Sequence, residues 1–97
     1  MRIIKKKTLI DFWNINKDSQ SHLESWYFEV KNADWSSPAE IKEKYKSASI
    51  LKDSRVVFNI KGNDYRLVVK INYNFKVVYI RFVGTHKEYD KTDVENI

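Results

Sequence analysis

The stretch Val56–Lys91, VVFNIKGNDYRLVVKINYNFKVVYIRFVGTHKEYDK, decides the fold. Three runs rich in β-branched and aromatic residues are separated by short polar segments, a composition that favours strands over helices. Lys61-Gly62-Asn63-Asp64 is read as a turn, with Gly62 and Asn63 available for positive φ. The runs predict an antiparallel meander. Alternate side chains on a strand point to opposite faces. This parity places Phe58, Ile60, Leu67, Val69, Ile71, Ile80 and Phe82 on one face, the side expected to pack on helices. The opposite face then collects Asn59, Lys61, Arg66, Lys70, Tyr79 and Arg81, a basic, partly aromatic surface with no strand carboxylate. A one-residue slip in register would exchange the two faces.

Working outward, Arg2-Ile3-Ile4-Lys5 predicts a short edge strand, its lysines suited to an unpaired edge. Thr8 is expected to cap a short helix carrying Leu9, Ile10 and Trp13 and ending near Asn14-Ile15-Asn16. A second helix is expected from Asp18 or Ser21, with Leu23, Trp26, Tyr27 and Val30 on one stripe. Trp26 in that stripe reads as core rather than as a base-stacking platform, and His22 as a surface residue. Ser37-Pro38-Ala39-Glu40 is the clearest helix start, with Ser37 as cap, Pro38 at the first position and Glu40 completing a capping box. That helix runs to Tyr45, after which Ile50 and Leu51 are expected to tuck under it. Helices segregated from an antiparallel sheet make the fold class α+β, with an N-terminal strand and two to three helices on one face of the sheet, in one domain over residues 1–97.

The chain has 97 residues and no cysteine, which removes disulfide and thiolate chemistry. No apolar run approaches the roughly 20 residues needed to span a bilayer, and the basic start leads into no secretory hydrophobic segment. The expected location is the cytoplasm. The net charge of +5 is uneven. Nine basic and seven acidic side chains occupy the first 51 residues, and nine basic against four acidic occupy Lys52–Lys91. A basic sheet of this kind points to a polyanionic partner.

Gly84-Thr85-His86-Lys87-Glu88-Tyr89-Asp90 follows the last strand directly. Thr85 and Glu88 have the spacing of a capping box. A helical turn there puts His86 and Tyr89 on one side, beside the basic face. Histidine exchanges a proton near neutrality, and tyrosine can donate a proton or stack on a base. Cleavage of an RNA phosphodiester needs a base for the 2′-OH, cations for the phosphoryl oxygens and an acid for the leaving oxygen. The candidate catalytic set is therefore His86, Tyr89, Arg81, Arg66 and Lys61, with Asn59, Lys70, Tyr79 and Lys87 as RNA-binding candidates. Two histidines 64 positions apart give no metal-ligand spacing, and no metal or cofactor is expected. No phosphate-binding glycine loop or serine-nucleophile motif is present.

Phe58-Asn59-Ile60-Lys61-Gly62-Asn63, Tyr65-Arg66-Leu67 and Tyr79-Ile80-Arg81-Phe82-Val83-Gly84-Thr85-His86-Lys87-Glu88-Tyr89-Asp90-Lys91 together resemble the HigB toxin family, RelE-like mRNA interferases of type II toxin–antitoxin pairs. The resemblance covers essentially the whole chain and is densest over Val57–Lys91. It implies a RelE-like α+β fold, cleavage of mRNA, commonly on the translating ribosome, and neutralisation by a HigA-type helix-turn-helix antitoxin. DNA would be contacted only through the antitoxin complex, which represses its own operon. By position, Asn59, Lys61, Arg66, Arg81, His86 and Tyr89 fall in the shared motifs. Which residue is base and which is acid varies among RelE-like toxins. Thr92 departs from the pattern, standing where many members carry an apolar residue. Two other functional classes remain open at this point: a non-catalytic RNA- or ribosome-binding module using the same face, and a purely structural partner subunit.

Overall fold

In the computed structural model, which describes residues 1–97, the chain runs β1 (Arg2–Ile4), α1 (Lys6–Ile15), a 3-10 turn (Lys17–Ser19), α2 (Gln20–Lys31), α3 (Pro38–Lys44), β2 (Ser49–Ile50), β3 (Arg55–Ile60), β4 (Tyr65–Asn72), β5 (Val77–Thr85) and α4 (His86–Asp90). The meander is present as expected: β3, β4 and β5 pair antiparallel, β4 lying between its two neighbours. The full sheet has five strands in the order β1-β5-β4-β3-β2. The N-terminal strand is an edge strand and pairs parallel to β5, Arg2 opposite Val77 and Ile4 opposite Tyr79. Ile50 does not tuck under α3. With Ser49 it forms the opposite edge strand against Val56 and Val57, and its side chain stays partly exposed.

The helices supply apolar stripes to one face of this sheet. Leu9 and Trp13 from α1, Leu23, Trp26 and Val30 from α2, and Ile41 from α3 are buried in one cluster with Val56, Phe58, Ile60, Leu67, Val69, Ile71, Val78 and Ile80. Phe58 is its hub. Trp26 and Tyr45 meet its ring edge-on at 5.4 and 5.1 Å, and Trp35 stacks on it at 6.3 Å. Such pairs add roughly 0.5–1.5 kcal/mol each beyond area burial. Trp26 is thus a core residue, as its stripe predicts.

Two helix starts differ from expectation. The first helix begins at Lys6, before Thr8, and its capping residue Lys5 takes a left-handed φ of 74° with no side-chain bond. The tight reversal out of the parallel edge strand sets this boundary, so Thr8 lies within the first turn. The second helix begins at Gln20, after the 3-10 turn that contains Asp18. The third starts at Pro38, but Glu40 accepts from the Ser36 backbone N–H at 3.2 Å, and the Ser37 hydroxyl caps nothing.

The parity of β5 changes along its length. Its register against β4 shifts between Val68 and Val69: Val69 faces Ile80, Val68 faces Phe82, and Arg81 is the extra residue between them. A bulge of this kind bends the strand and exchanges the faces of everything beyond it. Phe82 therefore does not join the helix-side core as predicted. It lies with Val68 on the outer face, and Val83 turns inward to pack against the core. Gly84 becomes opposite to Arg66, beneath the Phe82 ring: a Cβ at Gly84 would stand 2.6 Å from Phe82 Cζ and 3.2 Å from Glu88 Cβ.

The β3–β4 turn also differs in detail. Positive φ falls on Lys61 (52°) and Gly62 (63°) rather than on Gly62 and Asn63. This twist carries Lys61 out of the strand alternation and off the outer face. Its ammonium reaches Asp18 at 2.9 Å and Asp64 at 3.4 Å. Asp18 also accepts a hydrogen bond from the Tyr65 hydroxyl. The Tyr65 bond, followed by the Lys61 bond, holds the Asp18 carboxyl below its ordinary range. The same contacts raise Lys61, through Asp18 first, and raise Tyr65.

Two stability predictions arise here. A carboxyl whose pKa is depressed on folding stabilises above its unfolded pKa, and that contribution is lost as pH falls through the folded value. The melting temperature of Asp18→Asn should therefore lie below wild type at pH 7, and the gap should close as pH drops below the ordinary carboxylate range. Thermal scans across pH measure it. Separately, Gly84→Ala should cost about 1–3 kcal/mol in denaturant unfolding through overpacking. Most of that loss should vanish in a Phe82→Leu background, because the clash is with the ring's far edge.

Candidate functional site

The outer face of the sheet is not a uniform open cradle. Val57 and Val68 are buried there, outside the main core cluster, and Arg55 is buried as well. The chain after α4 recrosses this face: the Arg55 Nε–H donates to the Ile97 carbonyl at 2.9 Å, and Lys52 pairs with Glu95 at 3.4 Å. What remains accessible lies at the two ends of β4 and along β5.

At one end stands α4. Its start follows from the sequence: Thr85 Oγ1 accepts from the Glu88 N–H at 3.1 Å, and the Glu88 carboxylate accepts from the Thr85 N–H at 2.8 Å. This reciprocal capping box stabilises a helix too short to persist alone. The turn is further fixed by the His86 N–H donating to the Asp64 carbonyl, and at its far end by the Thr92 hydroxyl donating to the Glu88 carbonyl at 2.9 Å. The departure at Thr92 thus closes the helix with a polar contact.

On α4, the His86 Nδ1 lies 3.0 Å from Asp90 Oδ2, both side chains more than half exposed. A carboxylate on one ring nitrogen orients the imidazole and leaves the other nitrogen for a substrate. Asp90 has no role in the residue-by-residue sequence reading, although its i, i+4 spacing from His86 on a capped turn is the signal that finds it. Tyr89 is half-buried, and the Arg66 guanidinium lies 5.9 Å from its ring centroid. Arg66 is held by the Asn63 carbonyl at 2.9 Å. Arg66, Tyr89 and the His86–Asp90 pair therefore gather at one end of the face. Lys87 follows on the same turn and is exposed.

Towards the other end, Arg81, Tyr79 and Lys70 line a cleft of about 540 Å³ together with Ser54, Asn72 and Asn74. The Arg81 guanidinium lies 5.6 Å from the Tyr79 ring centroid. Alternation with Tyr79 already points Arg81 outward, and the bulge at Arg81 brings Phe82 to the same side. Asn59 is opposite Arg66 on β3, its amide 3.5 Å from the Ser47 carbonyl. Arg66, Lys70, Arg81 and Lys87 take part in no ion pair, whereas Arg55 and Lys61 do. The structure thus brings Arg66 against Tyr89, with His86 on the same short helix, and separately gathers Arg81, Tyr79 and Lys70. It sets Lys61 apart from both. Nowhere do three or more His, Asp or Glu side chains converge in a metal-holding group. No helix is long and apolar enough to cross a membrane.

Comparison with known proteins matches the chain to a family. The HigB toxin family, described as the RelE-like toxic component of a toxin–antitoxin system, matches residues 19–92. The mRNA interferase toxin HigB of Escherichia coli K12 is 30% identical over 92 residues, covering 93% of this chain and 88% of that protein. The mRNA interferase HigB of Shigella flexneri is similar to the same extent, 30% identical over 93% of this chain. The five-stranded α+β sheet, the capped His-Tyr turn and the unpaired cations beside it belong to a chain that is a member of the HigB family of RelE-like toxins.

Proposed function

We propose that this chain is the toxin of a type II toxin–antitoxin pair and acts as an endoribonuclease on mRNA. The observation that carries the reading is the set of cations without carboxylate partners on one sheet face, ending at an imidazole and a phenol on a capped turn. An RNA strand supplies the negative charge this face lacks.

The chemistry follows from the side chains. The His86 nitrogen not facing Asp90 takes the proton from a 2′-hydroxyl. The 2′-oxygen attacks the adjacent phosphorus, and the bond to the 5′-oxygen of the next nucleotide breaks. Arg66 neutralises the charge that builds on the non-bridging oxygens, the kind of preorganised electrostatic contribution that is often the largest single one. The Tyr89 hydroxyl gives a proton to the departing 5′-oxygen. The products are a 2′,3′-cyclic phosphate and a 5′-hydroxyl end, and no metal is needed for any step. Asn59 and Lys87 flank the reacting phosphate, and Arg81, Lys70 and Tyr79 carry the strand along the face. Lys61, already neutralised by two carboxylates, serves to tie the β3–β4 turn to the helices.

The site is shallow and open, which suits a strand presented by a larger body. We read cleavage as occurring on the translating ribosome. Neutralisation by a HigA-type helix-turn-helix antitoxin completes the pairing, and DNA is reached only through that complex. A non-catalytic binder on the same face would bind RNA without making new ends.

Induction in growing cells followed by mapping of RNA 5′ ends tests the proposal. Wild type should arrest growth and produce new 5′-hydroxyl ends. His86→Ala should lower cleavage by about 10²–10⁴-fold, and Arg66→Ala by about 10²–10³-fold. Lys61→Ala should lower the melting temperature while folded protein still cleaves. Growth arrest without new ends, or His86→Ala cleaving at the wild-type rate, contradicts the proposal.

A further inference from the structure

The cleft at the β4–β5 turn is spatially separate from the capped turn. Arg66 and Lys70 are four residues apart on β4, about 13 Å at the usual rise of a strand. That exceeds the phosphate-to-phosphate span of one nucleotide, so a single nucleotide cannot occupy both ends.

We propose that this cleft is a subsite for a flanking nucleotide of the same RNA strand, with its base on the Tyr79 ring and its phosphate between Lys70 and Arg81. The inference rests on the ribonuclease reading and deepens it. The lining is rich in donors: an ammonium, a guanidinium, and the amides of Asn72 and Asn74. Asn72 Oδ1 already accepts from the Phe75 N–H at 3.0 Å, so its amide N–H groups are what it offers a ligand. A ligand rich in acceptors fits, and a nucleotide offers them on both phosphate and base. Tyr79 adds the aromatic face, 36% exposed and flanked by Arg81. Base–aromatic stacking tolerates any base, whereas amide donors favour bases that present carbonyl or ring-nitrogen acceptors.

The cleft is also built before any ligand arrives. Lys76, in the turn that forms one wall, has a left-handed φ of 58°. Its ammonium is pinned by the Trp35 carbonyl at 2.9 Å, the Ser36 hydroxyl at 2.8 Å and Asp34 at 3.2 Å. The opposite wall is tied down where the Ile71 N–H donates to the Ser54 carbonyl at 2.9 Å. Preformed walls reduce the ordering cost of binding.

The test uses full-length His86→Ala protein labelled with ¹⁵N and titrated with 2′-O-methyl RNA, a dinucleotide in one arm and a hexanucleotide in the other. The dinucleotide should shift amides at Arg66, Gly84 and Tyr89. The hexanucleotide should shift these and also Lys70, Asn74 and Tyr79. Adding Tyr79→Ala should erase only the second set and weaken hexanucleotide binding roughly 5- to 150-fold. Tyr79→Leu, which keeps bulk but not the π face, should behave like Tyr79→Ala and separates stacking from folding. Hexanucleotide shifts confined to the capped turn, or affinity within about twofold of the parent in both Tyr79 variants, overturn the subsite while leaving the ribonuclease reading intact. A dinucleotide that fills the cleft first overturns its flanking role. Absence of new RNA ends from wild type overturns the ribonuclease reading, and the subsite with it.

Discussion

One extra residue in β5 sets the arrangement of the whole outer face. Were Arg81 paired in regular register rather than bulged, strict alternation would continue from Val78 to Gly84. Phe82 would then point into the core, Val83 would point out, and the glycine opposite Arg66 would be replaced by a different neighbour. The bulge instead packs a partly buried Val83 against the core and lays the Phe82 ring over Gly84. It leaves Arg81 in solvent beside Tyr79. The bulge thus decides what surrounds Arg81 on the outer face, an aromatic ring and a glycine, within a strand of nine residues.

The capped turn depends on distant contacts as well as local ones. The Thr85–Glu88 box stabilises α4 from within. From outside, the Asp64 carbonyl receives the His86 N–H, and Asp64 sits in the turn that Lys61 and Tyr65 anchor to Asp18. Asp18, more than sixty positions before His86, thus helps to place the imidazole. Its role is to position. It is not among the groups that would meet a phosphodiester. This explains why the most basic stretch of the sequence contains a lysine that contributes no net positive charge to the outer face: Lys61 is consumed in holding the turn.

Much of this was legible in the sequence because the signals are local. Strand periodicity located the three long strands, the Ser-Pro start located α3, and the Thr-x-x-Glu spacing located α4 with His86 and Tyr89 on it. Whole-chain motifs identified the family. What escaped were features set by tertiary contact. A bulge has no composition of its own here, so alternation alone puts Phe82 on the wrong face. A left-handed lysine is an uncommon choice where glycine and asparagine stand beside it, so alternation alone puts Lys61 on the outer face. The strand Ser49–Ile50 is two residues long and takes its identity from the partner strand. The contact that Ile97 makes with the buried Arg55 on the outer face comes from a segment whose return no periodicity announces.

In the proposed mode of binding, Arg66, Lys70 and Arg81 hold one RNA strand together. The salt dependence of binding measures it most directly, using His86→Ala protein and a single-stranded oligonucleotide. For single strands each neutralised phosphate contributes about −0.7 to the slope of log K against log salt. One phosphate at Arg66 and one between Lys70 and Arg81 predict a slope near −1.4, made shallower by about 0.7 when Arg66 is replaced by alanine or when Lys70 and Arg81 are replaced together. A slope near zero, or one unchanged by these replacements, would contradict it.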